Sequence, residues 1–229
     1  MFFAVSTSAW PAVLLTIKLA FVTTLFLVVI GLPLSWWLAR SRSRWRVVVE
    51  AIVALPLVLP PTVLGFYLLV ALAPSGAVGS LWESLGGNRL VFSFSGLVVG
   101  SICYSIPFMV QPITSAFRAL GDRPFEVAAS LGAGPWDRFF RLAIPMSKRA
   151  ILTGCVLAFA HTMGEFGVVL MIGGNVAGVT DVLSITIYEH VETQDYAGAH
   201  LISGALLLAS FVALLVILKF SERKRTPST

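Results

Sequence analysis

Glu165 is the only acidic residue in an apolar stretch running from Ala150 to Met171, and it sits between glycines in Gly164-Glu165-Phe166-Gly167. An ionisable group at membrane depth is costly and marks a functional or structural necessity. A bare carboxylate would repel an anion. Glu165 therefore reads either as a protonated or paired group that fixes a helix break beside Gly164 and Gly167, or as a coupling or gating group. A second polar set, Ser101, Tyr104, Ser105, Gln111 and Ser115, falls near one face of a helix within another apolar stretch. Such hydroxyl and amide groups can donate hydrogen bonds to the oxygens of a passing solute. They can equally let membrane helices approach and bond one another. Ser101, Tyr104, Ser105 and Glu165 are thus the candidate pathway or gate residues.

Other chemistries find no residues to carry them. The chain has no Gly-x-x-x-x-Gly-Lys-Ser/Thr run to cradle nucleotide phosphates, so an ATPase site is not expected. His161, His190 and His200 are too scattered to suggest a catalytic or metal-binding constellation and read as incidental. Cys103 and Cys155 both fall in apolar runs, where thiols act as small hydrophobes, so neither a disulfide nor a metal site is expected.

The elements that must position these groups are membrane helices. Of 229 residues, 57 % are hydrophobic and 12 % charged, and the mean hydropathy is +0.91; soluble domains carry about 25 % charged residues. Apolar runs spread from Ala12 to Phe220 and leave no room for a separate soluble core. One all-α membrane domain over 11–219 is expected. A crossing needs about 20 apolar residues, and five stretches approach this: 12–38, 47–73, 90–117, 150–171 and 197–219. The second contains Leu55-Pro56-Leu57-Val58-Leu59-Pro60-Pro61, which must kink or break a helix. The first stretch has no basic segment before it and is too long for a signal core, so it is expected to stay as a membrane helix.

Basic residues then orient the spans, because Lys and Arg are retained in cytoplasmic loops. Arg40, Arg42, Arg44 and Arg46 follow the first stretch. Arg118, Arg123, Arg138, Arg141, Lys148 and Arg149 lie between the third and fourth, and Lys219, Arg223, Lys224 and Arg225 lie at and just beyond the end of the fifth. The connection from Asn175 to Tyr196 instead holds Asp181, Glu189, Glu192 and Asp195 with no Lys or Arg. The expected topology has the N-terminus outside and the C-terminus cytoplasmic. The net charge of +5 is accounted for by these topology signals, and no nucleic-acid binding is expected.

The cytoplasmic loop 118–149 is long, and long ordered loops tend to carry function. Asp122, Pro124 and Glu126 suit a helix start. Gly132 and Gly134 can turn a sharp corner, and Pro135 can open a second helix through Trp136, Phe139, Phe140 and Leu142. With Phe125 and Leu131 these make an aromatic hairpin suited to a partner's groove or to lipid headgroups.

The run Glu126-Val127-Ala128-Ala129-Ser130-Leu131-Gly132-Ala133, followed by Leu142-Ala143-Ile144-Pro145, resembles the EAA loop of permease subunits in binding-protein-dependent ABC importers. Val127 departs from that pattern, replacing its first alanine. Leu55 to Gly65, the Gly164-Glu165-Phe166-Gly167 segment and Gly173-Gly174-Asn175 are similar to the molybdate branch; the sulfate/thiosulfate and tungstate branches have similar segments. The resemblance implies a type I ABC importer permease fold in the bacterial inner membrane. It also implies a homodimer with two cytoplasmic ATPase subunits and a periplasmic oxyanion-binding protein, with ATP used by the partner and no cofactor bound by this chain. Glu126, Ala128, Gly132, Ala133 and Pro145 are implied to form the coupling contact with the ATPase. The rival readings are a stand-alone secondary transporter, which would show internal repeats and paired intramembrane charges, and a membrane scaffold that recruits a soluble partner without transporting.

Overall fold

The computed structural model describes residues 2–222. Arg223, Lys224 and Arg225, which the sequence reading uses as a topology signal, lie outside them. The first helix, α1 (Phe2–Arg40), is followed by α2 (Trp45–Ala54), a 3-10 turn (Leu55–Leu57) and α3 (Pro61–Leu72). A short α4 (Ala77–Ser84) precedes the long α5 (Phe94–Ala119). Next come α6 (Arg123–Ser130), α7 (Pro135–Arg138), a π-helical segment (Phe139–Ala143), α8 (Ile144–Met146) and α9 (Lys148–Gly164). The chain continues through α10 (Gly167–Gly173), α11 (Leu183–Glu192) and α12 (Tyr196–Glu222).

Helices α1, α5 and α9 form the centre of the molecule. The apolar groups between them are no more oily than lipid tails, so close fit rather than water exclusion holds them together. Gly31 on α1 and Gly154 on α9 make that fit possible around Met109 of α5. A Cβ on Gly31 would lie 2.9 Å from Met109 Cγ, and one on Gly154 3.1 Å from the Met109 carbonyl oxygen. Ser35 donates to the carbonyl of Val110 at 3.2 Å, fixing the register of α1 on α5. The outward faces of α1 and α12 expose Phe21, Leu25, Val29, Leu207, Leu208 and Phe211, as a lipid-facing surface requires.

The structure corrects the expected spans in two places. Stretches Trp10–Arg40, Pro61–Ser84 and Phe94–Ala119 are long and apolar enough to cross a membrane. The second helical stretch long and apolar enough to cross thus begins at Pro61, whereas the expected stretch begins at residue 47. Pro56, Pro60 and Pro61 remove backbone donors and set α2 apart from α3. The fourth expected stretch is divided between α9 and α10, with Glu165 and Phe166 in the gap, and the helical segment entering α9 is bent by 75° at Ser147. The connection from Asn175 to Tyr196, read from sequence as a loop, contains α11.

Candidate functional site

The break between α9 and α10 is built around the Glu165 carboxyl. Glu165 leaves the helix at φ −72° and ψ 131°, and its side chain turns back into the bundle, leaving the residue 5 % exposed. The N–H of Val169 in the first turn of α10 donates to Glu165 Oε1 at 3.2 Å, and Ser101 of α5 donates to Oε2 at 3.3 Å. Ser184 of α11 donates to the Glu165 carbonyl at 2.6 Å. The carboxyl thus caps one helix and bonds a second, while its backbone holds a third. The flanking glycines differ in role. A Cβ on Gly167 would lie 2.5 Å from Pro61 Cβ, whereas one on Gly164 would meet nothing within 4 Å. Gly167 is what lets α3 begin against α10.

Beside the break lies a cavity of about 530 Å³ lined by Pro61, Thr62, Tyr104, His161, Glu165 and Gly167, among others. Tyr104 and Glu165 therefore share a wall. Ser101 and Ser105 are fully buried behind it. Ser101 braces Glu165, and Ser105 lies 3.0 Å from both His161 Nδ1 and Thr162 Oγ1. The His161 ring also stands in the cavity wall, stacked on Phe108 at 4.0 Å and tilted against Tyr104 at 4.9 Å. Its spacing of four residues before Glu165, one helical turn, is the signal that would have singled it out. Gln111 and Ser115 do not reach this cavity and line a separate recess farther along α5.

The hairpin after α5 has the expected two helices, with a division of labour that spacing did not show. Phe125 and Phe139 are 2 % and 4 % exposed. They pack with Phe117 around Trp36 of α1, at ring-centroid distances of 5.2 Å, 5.7 Å and 5.5 Å from the indole. Leu131 and Trp136, 83 % and 71 % exposed, project outward together with Val127 and Phe140. The apolar outer surface therefore excludes Phe125 and Phe139, contrary to expectation, because Trp36 claims them. Glu126, Gly132 and Pro145 are exposed, and Ala128 and Ala133 half-buried.

The corner depends on Gly132. At φ +86°, Gly132 donates to the Ala129 carbonyl at 2.9 Å, while Ala133 donates to the Ala128 carbonyl, also at 2.9 Å. This pair of bonds is a Schellman motif, which strongly favours glycine at its left-handed position. Gly134 has an ordinary φ of −69°, so only one of the two glycines turns the corner. Asp122 does not cap α6 with its side chain; it meets Arg40 at 2.6 Å instead. The Arg40 guanidinium also lies over the Phe125 ring at 4.1 Å. Pro145 follows the π-helical segment, in which the N–H of Ile144 reaches back to the Phe139 carbonyl. Among the described residues no group of three or more His, Cys, Asp or Glu could hold a metal ion.

Comparison with known proteins places this arrangement. Residues 31–226 match the family model described as binding-protein-dependent transport system inner membrane component. The chain is 52 % identical to the molybdenum transport system permease protein ModB of Azotobacter vinelandii, over 93 % of both chains. It is 32 % identical to the Escherichia coli K12 protein of the same name, over 93 % of this chain and 92 % of that one. It is also 33 % identical to the E. coli K12 sulfate transport system permease protein CysT, over 91 % of this chain and 75 % of the relative. Among solved structures, a chain of a bacterial alginate ABC transporter in complex with an alginate pentasaccharide-bound periplasmic protein superposes with a TM-score of 0.76 at 20 % identity. That match covers 97 % of this chain and 81 % of the other. A chain of the inward-facing MetNI methionine ABC transporter gives 0.70 at 16 % identity, covering 96 % and 95 %. With the broken spans and the outward-facing hairpin in place, the chain belongs to the binding-protein-dependent transport system inner membrane components and has the type I ABC importer permease fold.

Proposed function

We propose that this chain is the membrane-spanning subunit through which an ATP-driven importer passes molybdate. The observation that carries the reading is the 52 % identity, across 93 % of both chains, to a molybdenum transport permease. The wall of Tyr104, His161 and Thr62 supports it by offering hydroxyl and imidazole groups to a solute's oxygens. The Glu165 carboxyl beside them is engaged by Ser101 and Val169, which lessens its repulsion of an anion.

The exposed surface of Val127, Leu131, Trp136 and Phe140 is the seat for a cytoplasmic ATPase subunit. Glu126, Ala128, Gly132, Ala133 and Pro145 shape that seat, and nucleotide-driven motion enters the spans there. The arginine-rich ends of α1 and α5 face the cytoplasm with the C-terminus, and the N-terminus and the acidic 175–196 segment face outside. Two copies form the pathway, loaded by a periplasmic oxyanion-binding protein. This chain needs no bound cofactor and hydrolyses no ATP, which the partner subunit uses.

The test is uptake into proteoliposomes holding the whole importer with ATP inside and the binding protein outside. Molybdate should be taken up, with tungstate competing strongly and sulfate weakly. Preferential sulfate uptake would favour the second reading, a sulfate permease, motivated by the 33 % identity to CysT. ATP-independent uptake would indicate a secondary transporter, and no uptake would leave a scaffold.

A further inference from the structure

The polar face of α5 continues past the cavity at Glu165. Tyr104, Gln111, Ser115 and Arg118 follow one another at spacings of seven, four and three residues, a single stripe along the helix. Tyr104 lines the first cavity. Gln111, Ser115 and Arg118 line a second recess of about 260 Å³ near the arginine-rich end of the bundle, closed on its other side by Glu50 of α2. A water molecule's share of liquid volume is about 30 Å³, so a tetrahedral oxyanion fits there with water around it.

Two observations mark this recess as a site. The first is an unpartnered donor: Thr114, 4 % exposed, lines the recess, and its Oγ1 has no hydrogen-bond partner. A buried hydroxyl left unpaired keeps an unrepaid desolvation penalty. The second is the Arg118 guanidinium, which holds Glu50 as a fork: Nη1 donates to Oε1 at 3.1 Å and Nη2 to Oε2 at 2.9 Å. The same fork geometry takes the paired oxygens of a tetrahedral oxyanion. Glu50 stands where such an anion would bind.

Glu50 is also placed to leave. On α2 only Val53 is buried, and Trp45, Val47, Val48 and Ile52 are exposed. The helix joins α3 through a 3-10 turn and prolines that interrupt its backbone bonding. Val53, packed with Leu38 and Val110, and the Glu50–Arg118 pair hold it against the bundle.

We infer that the recess is a second oxyanion site on the pathway, in which Arg118, Gln111, Thr114 and Ser115 take the anion and Glu50 is a displaceable counter-ion. The inference rests on the permease reading. Competition between Glu50 and the solute for one guanidinium keeps the affinity low, as a conduit that must release its cargo requires. It also leaves the recess electrically neutral when empty.

The experiment uses the whole importer without nucleotide or binding protein, in phosphatidylcholine nanodiscs, and measures equilibrium binding of radiolabelled molybdate. Glu50→Gln should bind roughly tenfold more tightly than the unmodified protein. Arg118→Gln combined with Glu50→Gln should abolish that gain, and Arg118→Gln alone should bind no more tightly than the unmodified protein. Gln111→Ala with Ser115→Ala should erase most of the gain from Glu50→Gln. Binding by Glu50→Gln no tighter than that of the unmodified protein, in a variant that assembles normally, would overturn the inference. So would equal losses of thermal stability in both single variants with no change in binding, the signature of a purely structural ion pair. Anionic lipid headgroups share this chemistry, so the Glu50→Gln measurement is repeated in discs containing phosphatidylglycerol. Unchanged binding supports a site for the free anion; loss of the gain assigns the recess to lipid and overturns it. Uptake by the unmodified importer separates the two readings. Intact uptake with flat Glu50→Gln binding sinks this inference alone, whereas no uptake of any oxyanion sinks the permease reading and this inference with it.

Discussion

Trp36 of α1 and Phe125 of α6 meet with their rings 5.2 Å apart, so the hairpin is anchored first to α1 rather than only to the helices it directly connects. Phe139 and Phe117 complete the cluster, and Arg40 closes it from above by bonding Asp122 and lying over Phe125. A push on the exposed surface of α6 therefore reaches α1 through rigid aromatic contact. Trp36→Ala removes three ring pairs and opens a void, at a cost of about 3 kcal/mol. The expected outcome is a normally inserted protein in whose importer molybdate uptake falls well below the partner subunit's residual ATP hydrolysis, with Trp36→Phe restoring most of the coupling. The ratio of uptake to hydrolysis in proteoliposomes measures this.

The carboxyl of Glu165 has an acceptor role that an amide can share. Glu165→Gln keeps an oxygen for the Val169 N–H and offers an amide to the Ser101 hydroxyl, whereas Glu165→Ala abandons both. Each buried group left unpaired costs about 1–3 kcal/mol. Uptake should survive Glu165→Gln at a substantial fraction of its original rate, and be lost in Glu165→Ala with a lower melting temperature. Loss of uptake in Glu165→Gln at unchanged stability would instead make the ionisable proton itself part of the transport cycle.

Some of this was readable from sequence because its cause is local. Pro56, Pro60 and Pro61 break the helix because three missing donors fall within six residues, whereas single prolines at Pro33 and Pro107 stay inside α1 and α5. Gly132 turns the corner by its own φ of +86°, and its spacing from Glu126 makes the hairpin legible. Other features depend on distant partners. Phe125 and Leu131 have similar apolar character, and only Trp36, brought across by α1, decides that one is buried and the other exposed. His161 enters the cavity wall because Tyr104, Ser105 and Phe108 of α5 receive it. The single polar stripe read on α5 serves two recesses because α9 covers one part and α2 the other.

Gly132 tests the hairpin without disturbing its packing. A Cβ there meets nothing within 4 Å, so substitution strains the backbone alone, by about 1–2 kcal/mol for a side chain forced left-handed. Gly132→Val should leave membrane insertion intact and abolish uptake, because the corner between α6 and α7 shifts. Gly132→Asn, which tolerates that region better, should retain partial uptake. Full uptake in Gly132→Val would remove the coupling role assigned to this corner.

The two glycines flanking Glu165 should respond differently to the same change. Gly167 faces the rigid ring of Pro61, where an added Cβ would sit 2.5 Å from Pro61 Cβ, and neither partner can rotate away. Gly167→Ala should therefore separate α3 from α10, at an overpacking cost of about 1–3 kcal/mol. The Glu165 break moves with α10. Gly164 has open space at the same position, and Gly164→Ala should change stability by no more than about 0.5 kcal/mol. Melting temperatures of the two variants in one detergent give the comparison. A loss on Gly167→Ala with none on Gly164→Ala locates the requirement in helix contact. Equal losses would place it in the flexibility of the whole segment, and the break would then act as a hinge rather than a fixed corner.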